Sequence, residues 1–176
     1  MKRLLLSLIV LFAFGGFLFA QDTASHEVQL TVAEVCLIDL NDPALITLET
    51  TIPANGGEDP AGESNTDKYL QYTSLVPSGQ TRAISIAWDV ADSAPAGTAL
   101  LLEAIAVPAN CGTAAGQITV SSSGQNLITG IGSCATGTGA TTGAQLQYDL
   151  SITDVTQLNV GDTSTVTIYF TLTTAS

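Results

Sequence analysis

Residues 145–152 read QLQYDLSI, and this stretch decides the fold: Leu146, Tyr148, Leu150 and Ile152 alternate with Gln145, Gln147, Asp149 and Ser151. Successive side chains of a strand point to opposite faces. A strict period of two therefore sets one apolar row on a core and one polar row in water. The pattern recurs outward in both directions. Val166, Ile168, Phe170 and Leu172 alternate with Thr165, Thr167, Tyr169 and Thr171, and Ile84, Ile86, Trp88 and Val90 with Ser85, Ala87 and Asp89. Nearer the N-terminus, Val28, Leu30 and Val32 alternate with Gln29 and Thr31, and Ile46, Leu48, Thr50 and Ile52 follow Pro43. Residues 98–107, TALLLEAIAV, form the one run with helical character; framed by Gly97 and Pro108, they read as a buried strand. Turn residues such as those of Asn55-Gly56-Gly57, Pro77-Ser78-Gly79 and Asn159-Val160-Gly161 separate the runs. Eight or so strands without β-α-β alternation predict an all-β, antiparallel sandwich.

Charge and the N-terminus suggest a compartment. Lys2 and Arg3 precede the apolar run Leu4 to Phe14, which Gly15 and Gly16 break before Ala20. This is the order of a secretory signal, with cleavage expected after Ala20 and one domain over residues 21–176. A secreted, periplasmic or cell-surface location follows, with no membrane span left after cleavage. Of the 16 acids and 4 bases in the chain, all 16 acids would then face Lys68 and Arg82 alone. That balance argues against nucleic acid, which is bound through clustered Lys and Arg, and disfavours anchoring on an anionic membrane. Four of the five Phe residues leave with the signal, so Phe170 is expected in a core of Val, Ile, Leu and Ala.

Two stretches read as loops: the acidic residues 54–67, ANGGEDPAGESNTD, and the Gly/Thr-rich residues 130–143, GIGSCATGTGATTG. A Gly-rich loop of that length is mobile unless something ties it down. Cys134 lies in the second, and Cys111 in another Gly-containing loop. Export permits disulfides, and three thiols allow one bond. The expected pair is Cys111 with Cys134, while Cys36, in the strand-like run VCLIDL, is expected buried and reduced.

The chemistry-bearing residues are sparse. Residues 130–135, GIGSCA, match the form of a dinucleotide fingerprint, but residues 136–143 cannot open the helix that this motif needs. The single histidine, His26, lies near the expected mature N-terminus, a poor place for a catalytic base, and the Cys and His spacings fit no common zinc site. Asp39, Asn41 and Asp42, and Glu58, Asp59, Glu63 and Asp67, could offer oxygens to calcium, without the full spacing of an EF-hand. Sixteen acids neither identify nor exclude the carboxylate pair of a glycoside hydrolase. Trp88 falls in phase with Ile84 and Ile86, which points to core; Tyr69 and Tyr72 fall on opposite faces of one strand. No catalytic, cofactor or metal residue is expected.

The blocks YTSLVPSGQTRAISIAWD, PAGTALLLEA, QNLITGIGSCATGTG and STVTIYFTLT, spread over residues 69–172, resemble a group of uncharacterised exported bacterial β-sandwich proteins of Bacteroidota type. That resemblance implies export and fold and carries no activity with it. More distantly, HEVQLTVAEVC and STVTIYF are similar to spore-coat-U-like and fimbrial subunits, which implies an immunoglobulin-like sandwich. The chain continues past STVTIYF with TLTTAS, which departs from the fimbrial pattern. The expectation is a non-enzymatic structural or adhesive protein. Its partners would be copies of itself or other surface proteins. A strand-exchanging pilus-type subunit, a carbohydrate- or calcium-binding module and a hydrolase are the alternatives.

Overall fold

The longest strand, β4 (Ser64–Leu75), is the spine of the larger sheet. Its alternation puts Lys68, Leu70, Tyr72 and Ser74 in the interior and leaves Tyr69, Gln71 and Thr73 on the outer face. A computed structural model describes residues 24–174 and Ser176. Residues 33–176 form the sandwich, and residues 24–32 make a separate segment without strand pairing. The expected signal at residues 1–20 lies outside the described residues.

On one side β4 pairs with β1 (Val35–Leu40), from Val35 opposite Leu75 to Leu40 opposite Leu70. On the other it pairs with β10 (Cys134–Ala135) and then β11 (Ala144–Ile152), so the Gly-rich loop leaves and rejoins one edge of the same strand. Next come β6 (Thr98–Ala106), the strand expected from TALLLEAIAV, and the short β8 (Ile118–Thr119). The second sheet runs β12 (Ile168–Leu172), β5 (Arg82–Trp88), β9 (Gln125–Ile131) and β7 (Thr113–Ala114). A two-stranded ribbon of β2 (Thr50–Thr51) and β3 (Ala61–Gly62) completes the set. Every pairing is antiparallel.

The core lies between the sheets. Leu70, Leu102 and Leu146 of one meet Ile84, Ile86, Leu127, Ile128 and Ile131 of the other. The architecture is therefore the antiparallel β-sandwich that the alternation implies.

Local expectations depart from the structure at several places; residues 54–67, expected as a loop, contain β3 and the first residues of β4, Ile52 is exposed, and Val166 precedes β12. Val28, Leu30 and Val32 form no strand and are 67, 89 and 86% exposed, because an apolar alternation makes a strand only where a neighbour supplies hydrogen bonds. Between β1 and β2, residues 41–49 leave the ladder. Asn41 Oδ1 accepts the Tyr69 amide (2.7 Å), and Asp42 pairs with Lys68 (2.7 Å), so side chains replace backbone pairing while Ile46 and Leu48 still pack on the core. Val90 lies beyond the end of β5 and is exposed. Cys36, expected buried, is exposed, because β1 is the last strand of its sheet and the thiol faces the open seam toward β12, where it reaches Leu172 O (3.8 Å).

Candidate functional site

Both cations of residues 24–176 are used up inside the sandwich. Lys68 is buried and its ammonium meets Asp42. Arg82 is buried, donates to Thr173 O (2.7 Å) and pairs with Glu34, tying the entry to β1 to the exit from β12. The lysine and arginine that the sequence offers to an anionic partner are thus structural clips. Asp42, held by Lys68 and then by the Ala44 amide, has its carboxyl below the ordinary carboxylate range.

An open groove of about 460 Å³ lies on the outer side of the larger sheet. Its floor is β4 at Gln71 and Thr73. One wall is β1 at Leu37 and Asp39, and the other is β10 and the following loop at Ala135, Gly137 and Thr138. The period of two explains the lining: the inward residues Leu70, Tyr72 and Ser74 serve the core, which leaves the odd-numbered positions to the groove.

The Gly-rich loop that forms one wall is tied down from several directions. Thr136 N donates to Tyr72 O (3.0 Å), and Thr136 Oγ1 accepts from Tyr72 N (3.0 Å), extending the β10–β4 ladder by one residue. Gln71 Nε2 donates to Gly139 O (2.6 Å) and Thr142 O (3.1 Å), and Asn41 Nδ2 donates to Ala140 O (2.8 Å). At the far end Gly143 has φ +117°, and an added Cβ would stand 2.5 Å from Leu70 O, so only glycine lets the loop rejoin β4 so closely. The fingerprint-like residues 130–135 run from β9 through a turn into β10, with no helix following, so they offer no dinucleotide cradle.

The acidic residues singled out in the sequence do not converge on one point. Asp39 Oδ1 accepts its own neighbour's amide, Leu40 N (2.8 Å). Glu58 accepts from Asn55 Nδ2 (2.7 Å) and Asn55 N (3.1 Å), which hold its carboxyl below the usual range. Asp67 accepts from Asn65 Nδ2 (3.0 Å), and Glu63 Oε2 from Glu49 N (3.2 Å). Among the described residues no group of three His, Cys, Asp or Glu side chains is placed to hold a metal ion. Asp149, at the other end of the larger sheet, is saturated by Ser64, Gln117 and Gln147. The groove itself holds one carboxylate, Asp39, beside Gln71, Thr73 and Thr138 and the exposed apolar surface of Leu37, which is 64% exposed. Such a lining can hydrogen-bond a hydroxylated or peptide ligand. Tyr72 also lines the groove, while its hydroxyl turns inward and donates to Cys111 O (2.6 Å).

The cysteines expected to pair are free thiols in this structure. Cys134 nevertheless packs against the buried cluster that contains Cys111. Burial first, then the neighbouring Cys111 thiol, pushes the Cys134 thiol up to about 12. Trp88 is half-buried against the core, Tyr72 is interior, Tyr69 lies on the outer face, and His26 is exposed on the unpaired segment.

Sequence reasoning passed over Leu37, Gln71, Thr73 and Thr138. The available signal was the polar half of KYLQYTSL: on a strand whose other face is core, Gln71 and Thr73 had to line its outer surface. Among the described residues no helix is long and apolar enough to cross a membrane. Comparison with protein-family models, with curated proteins and with solved structures gives no match.

Proposed function

We propose that the protein is a non-enzymatic, exported structural or adhesive component of the cell surface or periplasm, built to associate through its sheet edges. The observation that carries this reading is a pairing of opposites. Residues 24–32 present Val28, Leu30 and Val32 in strand alternation to solvent. The seam where β1 and β12 end the two sheets leaves Ile168 and Phe170 half-buried on the core. An unpaired strand edge is a template for another strand. The occupant we assign is the 24–32 segment of a second copy, added along the outer edge of β12 in the manner of a pilus-type subunit. Buried cations and an acidic surface favour an apolar, backbone-mediated contact over an ionic one.

The test is the oligomeric state of the purified protein with and without residues 24–32, by sedimentation velocity across a concentration series. Concentration-dependent assembly that the deletion abolishes supports the reading. A monomer at all concentrations in both forms overturns it. A second reading, glycan or peptide adhesion, is favoured by the groove of Leu37, Asp39, Gln71, Thr73 and Thr138. Glycan-array binding lost on Asp39→Asn, with assembly unchanged, would select it.

A further inference from the structure

Strand register separates two of the three cysteines. Cys36 on β1 and Cys134 on β10 both stand opposite Ser74 of β4, one on each side. Neighbouring strands lie about 4.8 Å apart, which puts Cys36 and Cys134 roughly 10 Å from each other. A disulfide needs Cα atoms within about 7 Å, so Cys36 is out of range of Cys134. Ser74 fills the gap, and its buried hydroxyl has no partner among the described residues.

Cys111 reaches Cys134 from the other sheet's connections. It closes a turn in which Cys111 N donates to Pro108 O (3.1 Å), and it is buried. Its carbonyl accepts the Tyr72 hydroxyl at 2.6 Å, and Tyr72 sits two residues before Ser74 on the same inward face of β4. Tyr72 and Cys111 therefore belong to one buried cluster, and Cys134 packs against it.

We propose that Cys111 and Cys134 are the protein's oxidation site, joined as a disulfide in the exported chain, and that the bond braces the β10 wall of the groove. Ala135, Gly137 and Thr138 follow Cys134 directly, so fixing that residue to the Cys111 turn holds the wall that faces Leu37 and Asp39. The inference depends on the export reading only for its oxidant and is independent of strand addition. The oxidant is another disulfide, such as glutathione disulfide. One cysteine thiolate attacks it and displaces one thiol, and the second cysteine then displaces the other. The pair gives up two protons and two electrons, and the oxidant leaves as two thiols. A buried, poorly ionised Cys134 is a weak nucleophile, so the exchange proceeds during folding, before the cluster closes.

The experiment uses protein purified after expression of the full chain, unfolded, and refolded either with glutathione and its disulfide or with a phosphine reductant. Oxidative refolding should leave one titratable thiol, Cys36, and peptide mapping should recover Cys111 linked to Cys134. The oxidised form should melt about 6–12 °C above the reduced one, as expected for closing a ring of this size in a domain of this length. Cys36→Ser should keep both the link and the shift, whereas a Cys111→Ser/Cys134→Ser chain should lose both. If the double variant fails to fold, oxidised against reduced Cys36→Ser still reads the shift. Three titratable thiols after oxidative refolding, or a link through Cys36, overturns the proposal, and neither result bears on where the protein is exported.

Discussion

Leu146 and Leu30 both belong to apolar alternations, and each follows a Gln in the sequence. Leu146 is fully buried between β4 and β6, whereas Leu30 is 89% exposed. The centre of the sandwich, β4, β11 and β6 against β5 and β9, has neighbours on both flanks and a sheet above it. The β1/β12 seam has them on one flank only, and residues 24–32 have no strand partner among the described residues. Period-two alternation records what a segment can bury. Whether it does so depends on what lies alongside.

The largest expected effect tests the closed region. Leu146→Ala should cost about 2–5 kcal/mol in urea unfolding, the range for a leucine removed from a packed core. Leu30→Ala should stay within about 0.5 kcal/mol, as surface substitutions do. Comparable losses would mean that residues 24–32 are packed in the monomer, and the contrast between the regions would vanish.

Next comes alkaline stability, which also reports on the closed region. Burial raises the Tyr72 and Tyr148 hydroxyls well above their ordinary value of 10.0 and contributes most to raising Cys134 from 9.0. A group whose folded pKa is raised stabilises the fold below its unfolded pKa and loses that contribution as pH climbs past it. Melting temperature of the reduced protein should therefore decline from about pH 9 and fall more steeply above about pH 10. Tyr148→Phe should flatten the steeper part; an unchanged profile would show that Tyr148 is solvated.

A smaller effect sharpens the seam. Phe170 is half-buried where the sequence pattern anticipates full burial, because β12 ends its sheet. Phe170→Ala should cost about 1–3 kcal/mol, below the usual 3–5 for an enclosed phenylalanine. Tyr169, 53% exposed on the opposite face, should cost less than about 1 kcal/mol. A Phe170 loss at the full value would show the seam already covered.

Smallest is the clip across that seam. Glu34→Gln leaves the buried Arg82 without its carboxylate while Thr173 O still accepts from it, and should cost about 1–2 kcal/mol. The exposure of Glu34 keeps the figure low, since water can reach the vacated position. If the β1 and β12 edges open for strand addition, the same change should also alter assembly. No change in either measurement would remove Arg82 from the account of the seam.

The middle strands were legible because their apolar rows are long and turn-bounded: QLQYDLSI, RAISIAW and TALLLEAIA all became strands. The groove was legible only in half. Gln71 and Thr73 are visible as the polar phase of β4, but Leu37, Thr138 and the Asn41 and Gln71 anchors of the Gly-rich loop come from distant parts of the chain.

Composition and periodicity by themselves determined an acidic, all-β chain with few cations. They could do so because charge count and side-chain alternation are local properties of the polymer. Only the tertiary structure decided that those cations are buried clips and that Cys36 is exposed. Each of these outcomes depends on which strands become neighbours and which remain at an edge, and antiparallel pairing joins residues whose separation along the chain carries no record of the contact.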